Sequence, residues 1–172
     1  MYTKEKQTTA CRQAAQLGLF TALASILGYV ETLLPVFSGI PGIKLGLANL
    51  AVLFVLIRYS WKKAALVSLA RILIIGFMFG NLFSILYSAS GACLSLAAMT
   101  LILSKTDFSI ITVSIIGGVT HNIGQLLIAM LIVDSTSLIY YAPALLIAGI
   151  VTGAFVGTIT AQIAKLPSDI NS

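Results

Sequence analysis

The sequence predicts an all-α membrane protein, a bundle of six transmembrane helices that forms a single domain over residues 1–172. Two observations lead to this fold class. Of the 172 residues, 59% are hydrophobic and only 9% are charged, whereas soluble domains carry roughly 25% charged residues. A spanning helix needs about 20 apolar residues, so the length accommodates six spans with short connections and leaves almost nothing for a soluble domain.

Each predicted span ends at a recognisable break in the apolar pattern. The first ends at Pro35, and the short second one ends before Lys62. The third ends at Gly80, the fourth before Lys105 and the fifth before Asp134. Pro and Gly interrupt helices, and charged residues mark the edges of apolar runs. The six predicted spans are residues 14–34, 45–59, 64–79, 82–104, 108–133 and 138–164.

The distribution of positive charge predicts the orientation. Lys and Arg are concentrated on the cytoplasmic side of membrane proteins. With the N-terminus inside, only Lys44 lies outside, and Arg71 lies within a span. Both termini are therefore predicted to be cytoplasmic. The basic residues that this orientation places inside are Lys4, Lys6, Arg12, Arg58, Lys62, Lys63, Lys105 and Lys165.

The composition also excludes several classes of function. The net charge of +5 arises from dispersed basic residues, so we expect no nucleic-acid partner. Cys11 and Cys93 belong to no metal-ligand pattern, and the chain has no G-x-x-x-x-G-K-[ST] loop for ATP. No two of its five acidic residues are adjacent. We therefore expect no metal, no cofactor and no enzymatic activity, and any energy source must be another chain.

The main pointer to function is a polar group inside the fifth span. Residues 108–133 contain no Lys, Arg, Asp or Glu, yet they carry His121, Asn122 and Gln125 near their centre. Polar groups at bilayer depth are costly unless they face protein, water or a ligand. His121 and Gln125 share one helix face, from which they offer donors and acceptors. Two interpretations are open, a ligand site and an interhelical hydrogen-bond clamp.

Four more candidate substrate-binding residues come from the first three spans. Glu31 lies near the outer end of the first span, Lys44 and Asn49 lie around the start of the second, and Arg71 lies in the third. These residues would bind charged or hydroxyl-bearing groups, and we expect residues 35–44 to close over the site as a lid. Alternatively, Lys44 and Arg71 snorkel towards opposite membrane surfaces.

Polar residues also line one face of the fourth span. Ser84, Tyr87, Ser88 and Gly91 follow helical i, i+3, i+4 and i+7 spacing, and Asn81 precedes them. A single serine in a membrane helix often bonds its own backbone, so the shared face is the signal. From this group, Asn81 and Tyr87 are predicted to bind substrate.

The first span carries a stripe of small residues at intervals of four, Ala14, Gly18 and Ala22. In lipid, small residues allow two helices to approach closely, because packing replaces the hydrophobic effect as the driving force. Internal bundle packing and contact with a partner subunit explain this small-residue stripe equally well.

Several motifs together resemble one family. The motifs are PGIKLGLANL, the arginine in LARIL, SILYSASGACLS, GGVTHNIGQL and YYAPALLIAGIVTGAFVG, and the resemblance they carry covers about residues 14–157. They look like the Gx transporter family, also labelled heptaprenyl diphosphate synthase component I. One departure is Ser90-Gly91, where the family leads us to expect Gly-Gly.

That family is similar to the S components of energy-coupling factor (ECF) importers. These six-helix proteins capture a vitamin-like substrate from outside and dock on a T subunit that works with two ATPases. The resemblance implies the same fold, a multi-pass position in the bacterial cytoplasmic membrane and a small vitamin-like or anionic substrate. It also implies that Ala14, Gly18 and Ala22 make the docking contact.

The synthase label conflicts with the transport label. A prenyl diphosphate synthase needs acidic Mg²⁺ ligands, and the sequence offers no such acidic cluster. The synthase label therefore leaves one alternative to transport. In that alternative, the chain is a non-catalytic membrane subunit of a complex for prenyl diphosphate or quinone synthesis, or for electron transfer.

Overall fold

The computed structural model describes residues 2–33 and 46–165, which form six α-helices and one 3-10 helix and contain no strand. Side chains are described from residue 11 onward, except that of residue 32. The α-helices are α1 (Tyr2–Leu33), α2 (Leu47–Arg58), α3 (Trp61–Phe79), α4 (Leu82–Lys105), α5 (Ile110–Val133) and α6 (Ala142–Ala164). The 3-10 helix is Thr136–Tyr141.

Most boundaries lie within three residues of the predicted ones, and two differ by more. α1 begins at Tyr2, well before residue 14, because hydropathy marks where a helix becomes apolar and not where it begins. The last predicted span starts at residue 138, but α6 begins only at Ala142, after the 3-10 helix. Pro143 occupies the first turn of α6, a position where its missing N–H costs no hydrogen bond.

The all-helical class is confirmed, and four helical segments of the described chain are long and apolar enough to cross a membrane. α2 has only 12 residues, about 18 Å at 1.5 Å per residue. α3 has 19 residues but carries Lys62, Lys63 and Arg71. A six-span count and the orientation of the termini therefore stay predictions. The four segments are Cys11–Glu31, Leu82–Lys105, Ile110–Val133 and Thr136–Ala164.

The helices pack as two groups of three. α1, α2 and α3 contact one another, and α5 packs along both α4 and α6. Contacts of α3 with α4 and of α2 with α6 join the two groups. The core is centred on α2, whose Leu53 and Val55 are almost fully buried, and it includes Val156 of α6. The short α2 is therefore enclosed by its neighbours.

Glycines bring α5 and α6 into backbone contact. Gly149, Gly153 and Gly157 follow one another at intervals of four and face α5. A Cβ atom on Gly153 would lie 2.6 Å from the Cα of Ile115. On α5, Gly118 meets the backbone of Gly149 in the same way. The two helices therefore approach more closely than side chains would allow, and this glycine contact fixes the position of α5.

Candidate functional site

A cavity of about 90 Å³ lies between the two groups of helices, and every one of the six α-helices contributes to its lining. Six of the residues predicted to bind substrate line this central cavity. They come from α1, α2, α3 and α5, which are distant in sequence. These six residues are Glu31, Asn49, Arg71, His121, Asn122 and Gln125.

Arg71 is the central charged group on the α3 side. Its Nη2 donates a hydrogen bond of 2.9 Å to Oδ1 of Asn49. Its Nε is buried and has no hydrogen-bond partner among the described residues. Glu31 lines the same cavity and interacts electrostatically with Arg71. The guanidinium is thus held by one amide, while its Nε donor has no hydrogen-bond partner among the described residues.

Glu31 also connects α1 to the start of α2. The backbone N–H of Gly46 donates a hydrogen bond to the Glu31 carboxylate. Gly46 precedes α2 with φ of 75°, in the left-handed region that glycine adopts at little cost. This conformation aims the N–H towards α1 and sets the direction in which α2, and therefore Asn49, enters the bundle.

The α5 side of the central cavity carries Gln125 and His121. Gln125 is only 2% exposed, and no hydrogen bond joins its amide to another residue of the described chain. His121 lies one turn earlier and also lines the cavity. A cavity-facing amide and an imidazole supply both donors and acceptors, which suits a ligand with carbonyl or ring nitrogen atoms.

Asn122 has a structural contact in addition to its place in the lining. Its Nδ2 donates a hydrogen bond of 2.7 Å to the carbonyl of Leu145 on α6, and the residue is 8% exposed. This is the interhelical clamp that the sequence left open. Of the three polar residues at the centre of α5, Asn122 thus ties α5 to α6, whereas Gln125 keeps its amide available.

Gly91 on α4 allows His121 and Gln125 to sit against that helix. A Cβ atom at residue 91 would lie 2.8 Å from Cγ of Gln125 and 3.0 Å from Cε1 of His121. The neighbouring Ser90 hydroxyl donates a hydrogen bond of 3.0 Å to the carbonyl of Gly124. The Ser90-Gly91 pair therefore packs against α5 and positions the polar face of the central cavity.

Two other residues predicted to bind substrate, Asn81 and Tyr87, do not line the central cavity. Asn81 caps α4, where its side chain accepts a hydrogen bond of 2.8 Å from the N–H of Ser84. Tyr87 stacks on Phe83, with 5.7 Å between ring centroids. Lys44 and the predicted lid, residues 35–44, fall outside the described residues.

The central cavity also contains polar residues that were not among the predicted site residues. Ser84 and Ser88 line it from α4, and Thr152 lines it from α6. The serines share the polar face noted in the sequence, so that signal was present. Thr152 could not be singled out from the sequence, because an isolated threonine in a membrane helix commonly bonds its own backbone. In the structure its hydroxyl does donate a hydrogen bond of 2.8 Å to the carbonyl of Ala148.

The small-residue stripe of α1 lies on the surface. Ala14, Gly18 and Ala22 are all exposed. A Cβ atom on Gly18 would meet no atom within 4 Å. The stripe therefore makes no close helix contact inside the described bundle, and internal packing does not explain it.

The family model described as heptaprenyl diphosphate synthase component I matches residues 20–163. The match covers most of the chain and includes all six residues of the central cavity named above. Comparisons with curated proteins and with solved structures gave no significant match.

Proposed function

The chain belongs to the heptaprenyl diphosphate synthase component I family, also called the Gx transporter family, and from this premise we propose that it is a substrate-binding membrane subunit of an ECF-type importer. In this role it captures a small vitamin-like or anionic molecule from the outer face of the bacterial cytoplasmic membrane. It does no chemistry itself, and its energy comes from a T subunit and two ATPases.

The observation that carries the proposal is the polar lining of a cavity enclosed by apolar helices. Placing Arg71, Glu31 and Gln125 together inside an apolar bundle is costly, and such groups commonly mark a substrate or ion pathway. The buried Arg71 Nε has no hydrogen-bond partner among the described residues, so an anionic or carbonyl-bearing ligand would satisfy it. A bundle held together only by packing has no need of these groups.

The substrate-binding role is tested with Gln125→Ala. Small molecules retained by the gently purified protein are identified by mass spectrometry, and their affinity is then measured by calorimetry. We expect Gln125→Ala to weaken binding roughly 5- to 10-fold, since one hydrogen bond contributes about 1 to 1.5 kcal/mol. Gln162→Ala, at an exposed position on α6, is the matched control. Equal affinities of the two variants for the retained molecule would show that the central cavity is not its binding site.

The proposed docking surface is the exposed small-residue stripe of α1. Close approach of a partner helix requires small residues, and the bundle leaves these residues uncovered. We expect Ala14→Leu to abolish copurification with the T subunit and the ATPases. Ala15→Leu changes the adjacent exposed residue and should leave the complex intact. If both variants copurify normally, the stripe is not the docking surface.

The synthase label of the family favours a second candidate, a non-catalytic membrane companion of a prenyl diphosphate synthase. Within the described residues no group of three or more His, Cys, Asp or Glu side chains is placed to hold a metal ion. This candidate therefore assigns the chemistry to another chain. Copurification with a prenyltransferase, in place of a T subunit and ATPases, would favour it over transport.

A further inference from the structure

A second, larger cavity lies between α3 and α4 and is separate from the central cavity. It is an open groove of about 680 Å³. Its lining is almost entirely apolar, with Leu69 and Trp61 on α3 and Leu96, Ala97 and Leu101 on α4. Trp61, Leu69 and Leu101 are more than half exposed, so the groove opens onto the outer surface of the bundle.

The groove forms because α3 and α4 are in close contact at one end only. Near one end, Gly76 of α3 packs directly against Ile85 of α4. Towards the other end, small residues of α4 face α3, among them Ala89, Ala92 and Ala97. Small side chains cannot fill the space between two separating helices, and the space remains as a groove.

The groove is long enough to span one leaflet of a bilayer. It runs from Trp61 to Ile72 along α3 and from Ala89 to Ser104 along α4, about 16 Å and 22 Å at 1.5 Å per residue. Half of a bilayer's hydrocarbon core is about 15 Å thick. Trp61 marks the end of the groove, and tryptophan prefers the boundary between hydrocarbon and headgroups. The groove therefore accommodates an acyl chain that enters from the surface at Trp61.

The same end of the groove is positively charged. Lys62 follows Trp61 in α3, and Lys105 follows Ser104, the last lining residue of α4. The Nζ of Lys62 lies 5.8 Å from the centre of the Trp61 ring. No ion pair joins either lysine to an acidic side chain of the described chain. Both ammonium groups are available to an anion at headgroup level.

We infer that the groove between α3 and α4 is a binding site for an anionic phospholipid, with its phosphate at Lys62 and Lys105 and one acyl chain along α4. A lone apolar groove would accept any lipid tail, whereas the two lysines select the charge of the headgroup. The positive-inside rule predicts that this end lies in the cytoplasmic leaflet, whose surface potential is negative.

The sole tryptophan of the chain, Trp61, reports directly on this site. The full chain is reconstituted in phosphatidylcholine vesicles that contain increasing amounts of either phosphatidylglycerol or phosphatidylcholine with brominated acyl chains. Bromine quenches tryptophan fluorescence on contact. We expect half-maximal quenching at a several-fold lower fraction of brominated phosphatidylglycerol, because each lysine near an anionic headgroup favours binding about fivefold. Equal quenching by the two lipids would overturn the inference.

Two variants test the two parts of the site separately. Lys105→Gln should reduce the preference for phosphatidylglycerol about fivefold, while Lys165→Gln, at another exposed lysine, should leave it unchanged. Ala97→Phe should fill the groove and at least halve the quenching, whereas Ala15→Phe, on the surface of α1, should not. If neither brominated lipid quenches Trp61 in the unmodified protein, the groove is covered by polypeptide and the lipid site is refuted. If Ala97→Phe fails to fold, the comparison of Lys105→Gln with Lys165→Gln still decides the outcome.

Discussion

The backbone contact between α5 and α6 predicts a strong effect of adding one methyl group. In Gly153→Ala, the new Cβ atom would lie 2.6 Å from Cα of Ile115 and 2.7 Å from the carbonyl oxygen of Ser114. Ordinary contacts begin near 3.4 Å. Both neighbours are backbone atoms, which cannot rotate away, so α5 and α6 must separate by most of 1 Å.

The expected cost follows from this displacement. Overpacking of a tight interface costs about 1 to 3 kcal/mol, but replacing Gly by Ala in a helix also gains up to about 1 kcal/mol from helix propensity. Gly18→Ala separates the two effects, because its new methyl group meets no atom within 4 Å. The difference between the two variants isolates the clash, and we expect Gly153→Ala to be about 1 to 3 kcal/mol less stable than Gly18→Ala.

Equilibrium unfolding in mixed micelles, followed by helical circular dichroism, measures this difference. Both variants change one glycine to alanine in a long apolar helix. Effects of the detergent on helix propensity therefore cancel in the difference between their free energies of unfolding. Equal free energies of unfolding for Gly153→Ala and Gly18→Ala would mean that α5 and α6 are not in backbone contact. The account of how α5 is positioned would then be wrong.

Two further substitutions test the separate roles of neighbouring residues. Asn122→Leu removes the hydrogen bond to the Leu145 carbonyl. We expect the same unfolding titration to show a free energy of unfolding that is lower by about 0.6 to 1.7 kcal/mol. If Asn122→Leu loses no more stability than Gln125→Leu, Asn122 does not clamp α5 to α6. Gly46→Ala places a side chain at φ of 75° and should cost about 1 to 2 kcal/mol. In contrast, Gly28→Ala in α1 meets only ordinary contacts of 3.6 and 3.7 Å and should gain up to about 1 kcal/mol from helix propensity. Equal stability of these two variants would argue against the left-handed turn.

The helices could be predicted from the sequence because their ends are local features. Gly80 and Asn81 separate α3 from α4, and Asp134 follows the end of α5, as the residue pattern indicates. The polar residues of the central cavity were also recognisable, since polar groups are rare and costly in apolar helices. Local composition carries both kinds of information.

The roles of those polar residues could not be predicted from spacing alone. Asn122 and Gln125 lie three residues apart, yet one clamps α6 and the other faces the central cavity. Which of them finds a partner depends on where the carbonyl of Leu145 lies, and the glycine contacts between α5 and α6 determine that. The surface position of Gly18 depends in the same way on how α1 packs against α2 and α3.

The enclosed position of α2 has a consequence for assembly during synthesis. With 12 residues, α2 spans about 18 Å, well short of the roughly 30 Å hydrocarbon core of a bilayer. Alone in lipid it would be poorly matched to the membrane, and its full set of neighbours includes Val156, which is translated about a hundred residues later. The enclosure of α2 is therefore complete only after α6 has been synthesised.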